Sequence, residues 1–396
     1  MRSSLVLLST AALSLCGVFA AAQTSQSTLV RARDLAVPFD GTPGPLNAIT
    51  DVAGVEVGQT TLIRGEGALK VGEGPVRTGV TMILPRGKTN ADPVYAGWFS
   101  LNGNGEMTGT TWVEESGLLA GPVGITNTHS VGVVRDSVIA WALDRHLMKD
   151  DEWSLPVVAE TWDGWLNDIN GFHVGKSDVF SALDSAKGGA VAEGNTGGGT
   201  GMVCYGFKGG TGTASRVLTK SDGGYTVGVL VQCNCGRRPQ LTIAGVPVGK
   251  EIPGNEPYAE LHPNARPGND SGNDVGSIII VIATDAPLLP HQLKRLAHRA
   301  AMGLARTGSV SGNGSGDIFV AFSTANEHID AVPGPNSVLT VSTERITPLF
   351  TATVEATEEA IVNAMVGAKT MTGVNGRTVI ALPHDQLQQV LKKYNR

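Results

Sequence analysis

The apolar pattern is densest in one place. Ser277 to Asp285 reads SIIIVIATD, a continuous run rich in β-branched residues. That length, bounded by turn-forming flanks, predicts a strand buried on both faces. The stretch before it, HPNARPGNDSGNDVG from His262 to Gly276, holds almost nothing to bury. It predicts an exposed loop. Short apolar or alternating runs predict further strands at Val80–Leu84, Gly124–Thr126, Val157–Ala159, Tyr225–Gln232 and Ile318–Thr324. Leu46–Ile63 predicts two short strands with a turn. Val131, Val134, Val138 and Trp141 have helical spacing, with Ser130 as the candidate cap. So do Leu293, Leu296, Ala300 and Leu304 within Leu288–Arg306, and Val354, Ile361, Ala364 and Met365 within Thr351–Thr370. His384–Tyr394 predicts a last helix with basic residues at its C-terminal end, as the helix dipole prefers. Strands and helices come in groups, and no repeat recurs. That grouping predicts a layered α+β fold, with helices outside stacked sheets, over a doubly wound parallel sheet.

Composition narrows the classes. The chain has 396 residues, 41% of them hydrophobic, which excludes a disordered chain. Net charge is −6 with no basic cluster, so nucleic acid is not an expected partner. The first residues, MRSSLVLLSTAALSLCGVFAAAQ, predict a secretory signal at 1–22: Arg2, an apolar region from Leu5 to Phe19, and small residues Ala20 to Ala22. Cleavage after Ala22 leaves Gln23 first and places the protein in the periplasm or outside the cell; bulky Leu15 argues against a lipoprotein signal at Cys16. No other segment is long and apolar enough to span a bilayer. Three cysteines then remain. Cys233 and Cys235 share one face of a predicted strand and read as small buried hydrophobes, not as metal ligands; with Cys204 the odd count leaves at least one thiol.

The candidate chemistry starts at Ser277. A hydroxyl at the mouth of a central strand is rigidly held, and the loop presents it with the Gly276–Ser277 peptide bond. Two readings stay open on the residues alone: a strand-start serine, or a precursor that cuts itself there and exposes an N-terminal Ser. Gly194 to Gly212, GNTGGGTGMVCYGFKGGTG, must turn tightly or approach something closely. It lacks the Lys-Ser/Thr ending of a phosphate cradle. His129 and His173 stand alone, outside any G-x-S-x-G context, and there is no H-E-x-x-H. A His-dependent triad and a zinc peptidase are both disfavoured, and no metal or cofactor is expected.

Seven stretches together carry a resemblance: LNAITDVAGVEVGQTT, NGNGEMTGTTWVEESG, ITNTHSVG, ETWDGWLNDINGFHV, GGGTGMVCYGFKGGTGTASR, GSIIIVIATDAPLLPHQLKRLA and RTGSVSGNGSGDIFVAFSTAN. In order and nearly along the whole mature chain, they resemble the DmpA-type aminopeptidases, the L-aminopeptidase/D-amidase-esterases, with β-peptidyl aminopeptidases as relatives. The resemblance implies a four-layer αββα sandwich like that of N-terminal-nucleophile hydrolases, with different strand connectivity. It implies self-cleavage into chains 23–276 and 277–396 that remain one domain, and assembly of such pairs, often four. It implies that Ser277 is the nucleophile, supported by Ser315 and Asp317. It places Asn234 at the oxyanion and Glu160 at the substrate's free amine. Trp162 stands where some members have a Tyr whose hydroxyl helps the oxyanion. The expected substrates are peptides or amino-acid amides and esters.

The residues suit that chemistry. A Ser hydroxyl needs a nearby base, and an α-amine with a pKa of about 7.7–8.0 can serve. Only a chain end at Ser277 supplies it. Two alternatives are an acyltransferase of similar build and a periplasmic peptide-binding protein that is never cut. Relatives of the first favour Thr where this chain has Ser277. The intact set of Ser277, Ser315, Asp317 and Asn234 argues against the second.

Overall fold

A computed structural model describes residues 30–254, 256–257, 276–329, 334–335 and 337–396. The predicted signal at 1–22 and most of the loop before Gly276 lie outside the described residues. In chain order the strands of the two main sheets are β1 (Glu56–Arg64), β2 (Val76–Leu84), β3 (Val94–Gly103), β4 (Leu118–Leu119), β5 (Val123–Asn127) and β6 (Val157–Thr161). A two-stranded hairpin, β7 (Val203–Cys204) and β8 (Phe207–Lys208), comes next. Then follow β9 (Gly210–Val217), β10 (Thr226–Asn234), β11 (Ser277–Thr284) and β12 (Gly316–Ser323). One sheet has the order β1-β2-β5-β6, the other β4-β3-β12-β11-β10-β9.

Helices cover both outer faces. Helices α1 (Thr110–Ser116), α2 (Val131–Asp144) and α3 (Lys176–Ser185) belong to the first half of the chain. Residues of α2 and α3 pack on the outward side of the four-stranded sheet, in a cluster with Val80, Met82 and Val158. After the short α4 (Val248–Glu251), helices α5 (Pro290–Arg306) and α6 (Thr347–Val366) lie on the six-stranded sheet. The result is the four-layer αββα sandwich that the resemblance implied.

Strand β11 explains the unbroken apolar run. Ile278, Ile280 and Ile282 face the α5–α6 layer. Ile279, Val281 and Ala283 face the other sheet. A strand between two cores has no solvent side, so the period-two alternation disappears from its sequence. Each buried Ile contributes roughly 1.5–3 kcal/mol. Packing therefore fixes this strand along its length, and Ser277, its first residue, with it.

Four expectations change. Leu46–Ile63 forms one strand, β1, preceded by a 3₁₀ turn at Ile49–Asp51. The Asp51 carboxylate accepts the N–H groups of Leu46 and Ala48, which holds that backbone out of a sheet. Ser130 is buried and makes no side-chain cap for α2. Cys233 is no simple buried hydrophobe: it is joined to Cys204 by a disulfide, with Cα atoms 5.8 Å apart, because the β7–β8 hairpin folds back onto β10. Cys235 is buried beside the bond, its Sγ 3.9 Å from that of Cys233. His173 does not stand alone, since Asp168 lies 2.8 Å from its Nε2 and Arg64 3.0 Å from its Nδ1. Among the described residues, no helix is long and apolar enough to cross a membrane.

Candidate active site

Three adjacent strands bring the expected residues together. Asn234 ends β10 and Ser277 begins β11, and the antiparallel register pairs the two directly. Paired residues present their side chains on one face. Strand β12 runs parallel to β11 and sets Gly316 opposite Ser277. The Gly316 N–H donates to Ser277 Oγ at 3.1 Å. On either side of Gly316, the Ser315 hydroxyl donates to Asp317 Oδ1 at 2.6 Å. The Ile278 N–H donates to the same oxygen at 3.2 Å. A bulge between Asp317 and Ile318, where β12 meets β3, interrupts the ladder beside this pair. Such bulges re-aim a side chain at a sheet's end. All four side chains are buried, Ser277 being the most exposed at 5%.

Gly276 is placed by close approach. A Cβ there would lie 2.5 Å from the Asn234 carbonyl oxygen and 2.6 Å from Cys235 Cα. No other residue fits without moving β10. The peptide bond before Ser277 is thus pressed against the strand that carries Asn234.

The Asn234 amide is oriented by two backbone groups. The Val203 N–H donates to Oδ1 at 2.7 Å. Nδ2 donates to the Trp162 carbonyl at 3.0 Å. Because an N–H can only donate, the first contact fixes which end of the amide is oxygen. Trp162 therefore meets the expected oxyanion residue through its carbonyl. Its indole packs with Trp165, Leu166, Val203, Met371 and Val379.

Glu160 comes from the other sheet, near the end of β6. Its Oε1 accepts the Glu106 N–H at 3.0 Å and its Oε2 the Thr128 hydroxyl at 2.6 Å. Burial pushes its carboxyl above the usual range, against the pull of those hydrogen bonds and of nearby His129. Gly105 links this acid to the strand pair that carries Ser277. A Cβ on it would lie 3.3 Å from Glu160 Oε1 and 3.2 Å from Gly316 Cα. The loop NGNGE, Asn102 to Glu106, is the bridge. Asn102 Nδ2 donates to Ser311 and Gly312 carbonyls, and Asn104 Nδ2 to that of Gly314 at 2.8 Å. It thereby holds the loop that carries Ser315.

Sequence reasoning missed the roles of Thr128, Asn102 and Asn104. Their stretches, ITNTHSVG and NGNGEMTG, were visible in the resemblance, but nothing local marks which atoms they serve. It also gave no role to Gln232, buried between the sheets. Its Nε2 donates to the Thr126 carbonyl at 2.9 Å and to Thr161 Oγ1 at 2.8 Å. This stitch sits two residues below Asn234 and one from Glu160. His173 stays outside this chemistry: Asp168 and Arg64 occupy both its ring nitrogens, leaving neither to serve a serine.

The family model for peptidase family S58 matches residues 47–379. A β-peptidyl aminopeptidase, BapA, of Sphingosinicella microcystinivorans is 58% identical over 92% of this chain and 93% of its own length. A second BapA, of Sphingosinicella xenopeptidilytica, is 52% identical over 91% of both chains. The solved L-aminopeptidase D-Ala-esterase/amidase of Ochrobactrum anthropi, described as a prototype of the serine aminopeptidases and a variant of the Ntn hydrolase fold, superposes with a TM-score of 0.84. It is 50% identical, covering 92% of this chain and 99% of that one. A Burkholderia β-aminopeptidase superposes with a TM-score of 0.82 at 46% identity, covering 92% of this chain and 99% of its own.

Proposed function

The chain belongs to peptidase family S58 and is an aminopeptidase, and from that premise we propose that it cuts itself between Gly276 and Ser277 and then works through an acyl-enzyme on Ser277. The observation that carries this reading is the pairing of Ser277 with Asn234 across the β10–β11 ladder, with Gly316 N–H on Ser277 Oγ. In the uncut chain the Ser277 hydroxyl attacks the Gly276 carbonyl. The acyl group moves from nitrogen to oxygen, and water hydrolyses the ester. The products are a carboxylate on Gly276 and a free amine on Ser277. That amine then takes the proton from Oγ as the hydroxyl attacks the first carbonyl of a substrate. An amide nitrogen carries two N–H groups. Asn234 gives one to Trp162, and the other serves the oxyanion. The leaving amine takes the proton, and water releases the acyl group.

Glu160 holds the substrate's ammonium. Gly105 and Gly316 alone stand between this buried carboxylate and Ser277 in that chain of contacts, and an acid so near the nucleophile limits the enzyme to chain ends. Because the two BapA relatives are named β-peptidyl aminopeptidases, peptides with an N-terminal β-amino acid are proposed among the substrates, beside α-peptides, amides and esters. No observation favours acyl transfer or simple peptide binding. The Cys204–Cys233 disulfide supports an exported, oxidising setting, which accords with the signal proposed at 1–22. Exposed Trp153, edge-on to Trp112 with ring centroids 5.3 Å apart, supports self-association of the cleaved pairs.

Glu160→Gln tests the amine site. KM for a substrate with a free amine should rise about 10- to 100-fold, the worth of a charge-assisted contact of roughly 1.5–3 kcal/mol, while self-cleavage persists. The scissile bond of the precursor presents no amine. The pH dependence has a fixed sign. A raised carboxyl pKa means that protonation begins at a higher pH than for an ordinary Glu. Protonated Glu160 cannot hold an ammonium, so KM of the wild type should climb as pH falls through that raised value. In Glu160→Gln the climb should vanish. Equal losses on acetylated and free-amine substrates would make Glu160 a structural acid.

A further inference from the structure

Lys208 has no part in the reaction described above, yet its side chain is fully buried next to it. We propose that Lys208 is a positioning residue: its ammonium holds the Met202–Val203 peptide group, which aims the Asn234 amide at the oxyanion. This rests on the reading of Asn234 as the oxyanion donor.

Three carbonyls converge on the Lys208 Nζ. It donates to those of Met202 and Gly209, each at 2.8 Å, and of Gly199 at 3.4 Å. The Met202 carbonyl and the Val203 N–H belong to one peptide group. Lys208 grips that group by its oxygen, and Asn234 Oδ1 receives its hydrogen at 2.7 Å. In a trans peptide the two bonds point opposite ways. The lysine and the asparagine therefore sit on opposite edges of one plane, and a cation on the oxygen makes the N–H a stronger donor.

The other anchor of the amide is the peptide group between Trp162 and Asp163. Asn234 Nδ2 donates to the Trp162 carbonyl. That carbonyl shares its peptide group with the Asp163 nitrogen. Asn167 Nδ2 donates to Asp163 Oδ1, at 3.1 Å. The Gly-rich turn packs the two charges together. Its Gly199 carbonyl meets Lys208, and a Cβ on Gly201 would lie 2.8 Å from Asp163 Cβ.

Burial pushes Lys208 down to about 7 and Asp163 up to about 7, while Asp163 pulls the lysine back up. Geometry decides the lysine's state. Three carbonyls ask for three donors, and only the ammonium has three. An apolar side chain of this length would strip all three carbonyls of the ammonium, leaving that of Met202 only the Gly209 N–H at 2.9 Å and that of Gly199 only the Met202 N–H at 3.4 Å.

The test is a double-mutant cycle on the full chain, with kcat normalised to the cleaved fraction by intact mass. Lys208→Met should lower kcat about 10- to 100-fold and change KM less than about threefold, a fraction of the loss from deleting an oxyanion donor. Lys208→Gln, which keeps two donors, should recover part of it. In an Asn234→Ala background Lys208→Met should change kcat less than about threefold, because there is no amide left to aim. If Lys208→Met cuts kcat by the same factor in both backgrounds, Lys208 only supports the fold and the proposal fails. The proposal also fails if neither Lys208 variant gives soluble enzyme while Asn234→Ala does. If Asn234→Ala alone keeps full turnover, it is the oxyanion reading of Asn234 that falls.

Discussion

Ser277→Ala should yield one uncut chain with turnover lowered by more than about 10⁴-fold. The two effects have one cause. In the proposed reaction the hydroxyl that attacks Gly276 in the precursor is the hydroxyl that attacks the substrate later, and the amine that activates it exists only after the first attack. The substitution should not unfold the protein. Ser277 heads β11, whose stability comes from the seven residues after it, buried in the two cores on either side of the sheet. The lost contact is one hydrogen bond from Gly316 N–H. Melting temperature should therefore stay within a few degrees of the uncut wild type, since about 1 kcal/mol is at stake. Intact mass decides the matter. Wild type should run as two chains, one beginning at Ser277. A wild type that stays in one piece with full peptidase activity would overturn the mechanism.

The strands that build this site were legible because burial writes itself into composition. SIIIVIAT reads as a strand buried on both faces, and its first residue is therefore expected to be held in place. Helix bodies were equally clear, but their ends moved. Thr351 was the expected start of α6, whereas Pro348 and Thr347 already lie in its first turn. Proline suits that position, because its missing N–H has no partner there anyway. Leu288 was placed in α5, yet the helix begins at Pro290, and Leu289, held extended by the proline after it, lies outside. What the sequence could not reveal is how polar atoms meet across long separations. Thr128 finds Glu160 across 32 positions, and Asn104 finds Gly314 across 210. The pairing of Cys204 with Cys233 is of the same kind, since three cysteines allow three bonds and spacing does not choose among them. Lys208 was not legible: nothing in Phe207-Lys208-Gly209 marks a buried cation, and only the convergence of three carbonyls shows why it is inside.

Asp317→Asn should slow self-cleavage and lower turnover together, each by about 5- to 30-fold. In the precursor the nitrogen of Ser277 is an amide and cannot act as a base. The Ser315 hydroxyl, which donates to Asp317 Oδ1 at 2.6 Å, is the neighbouring group able to pass a proton, and the carboxylate keeps it aligned. The same oxygen accepts the Ile278 N–H, so Asp317 also ties the start of β11 to β12. Asparagine keeps the shape and the acceptor but loses the charge. A charge-assisted bond is worth about 1–2 kcal/mol more than a neutral one, which sets the size of the loss. In the mature enzyme the nitrogen of Ser277 is an amine, and a carboxylate nearby favours its protonated form. Removing that charge lowers the amine's pKa, so more of it is neutral at a given pH. The acid limb of the pH–rate profile should therefore move to lower pH even as the maximum rate falls. A merely structural aspartate predicts a different pair of results: a lower rate with the limb unmoved. Normal cleavage with an unmoved limb would confine Asp317 to shaping the loop, and the catalytic set would shrink to Ser277, Asn234 and Ser315.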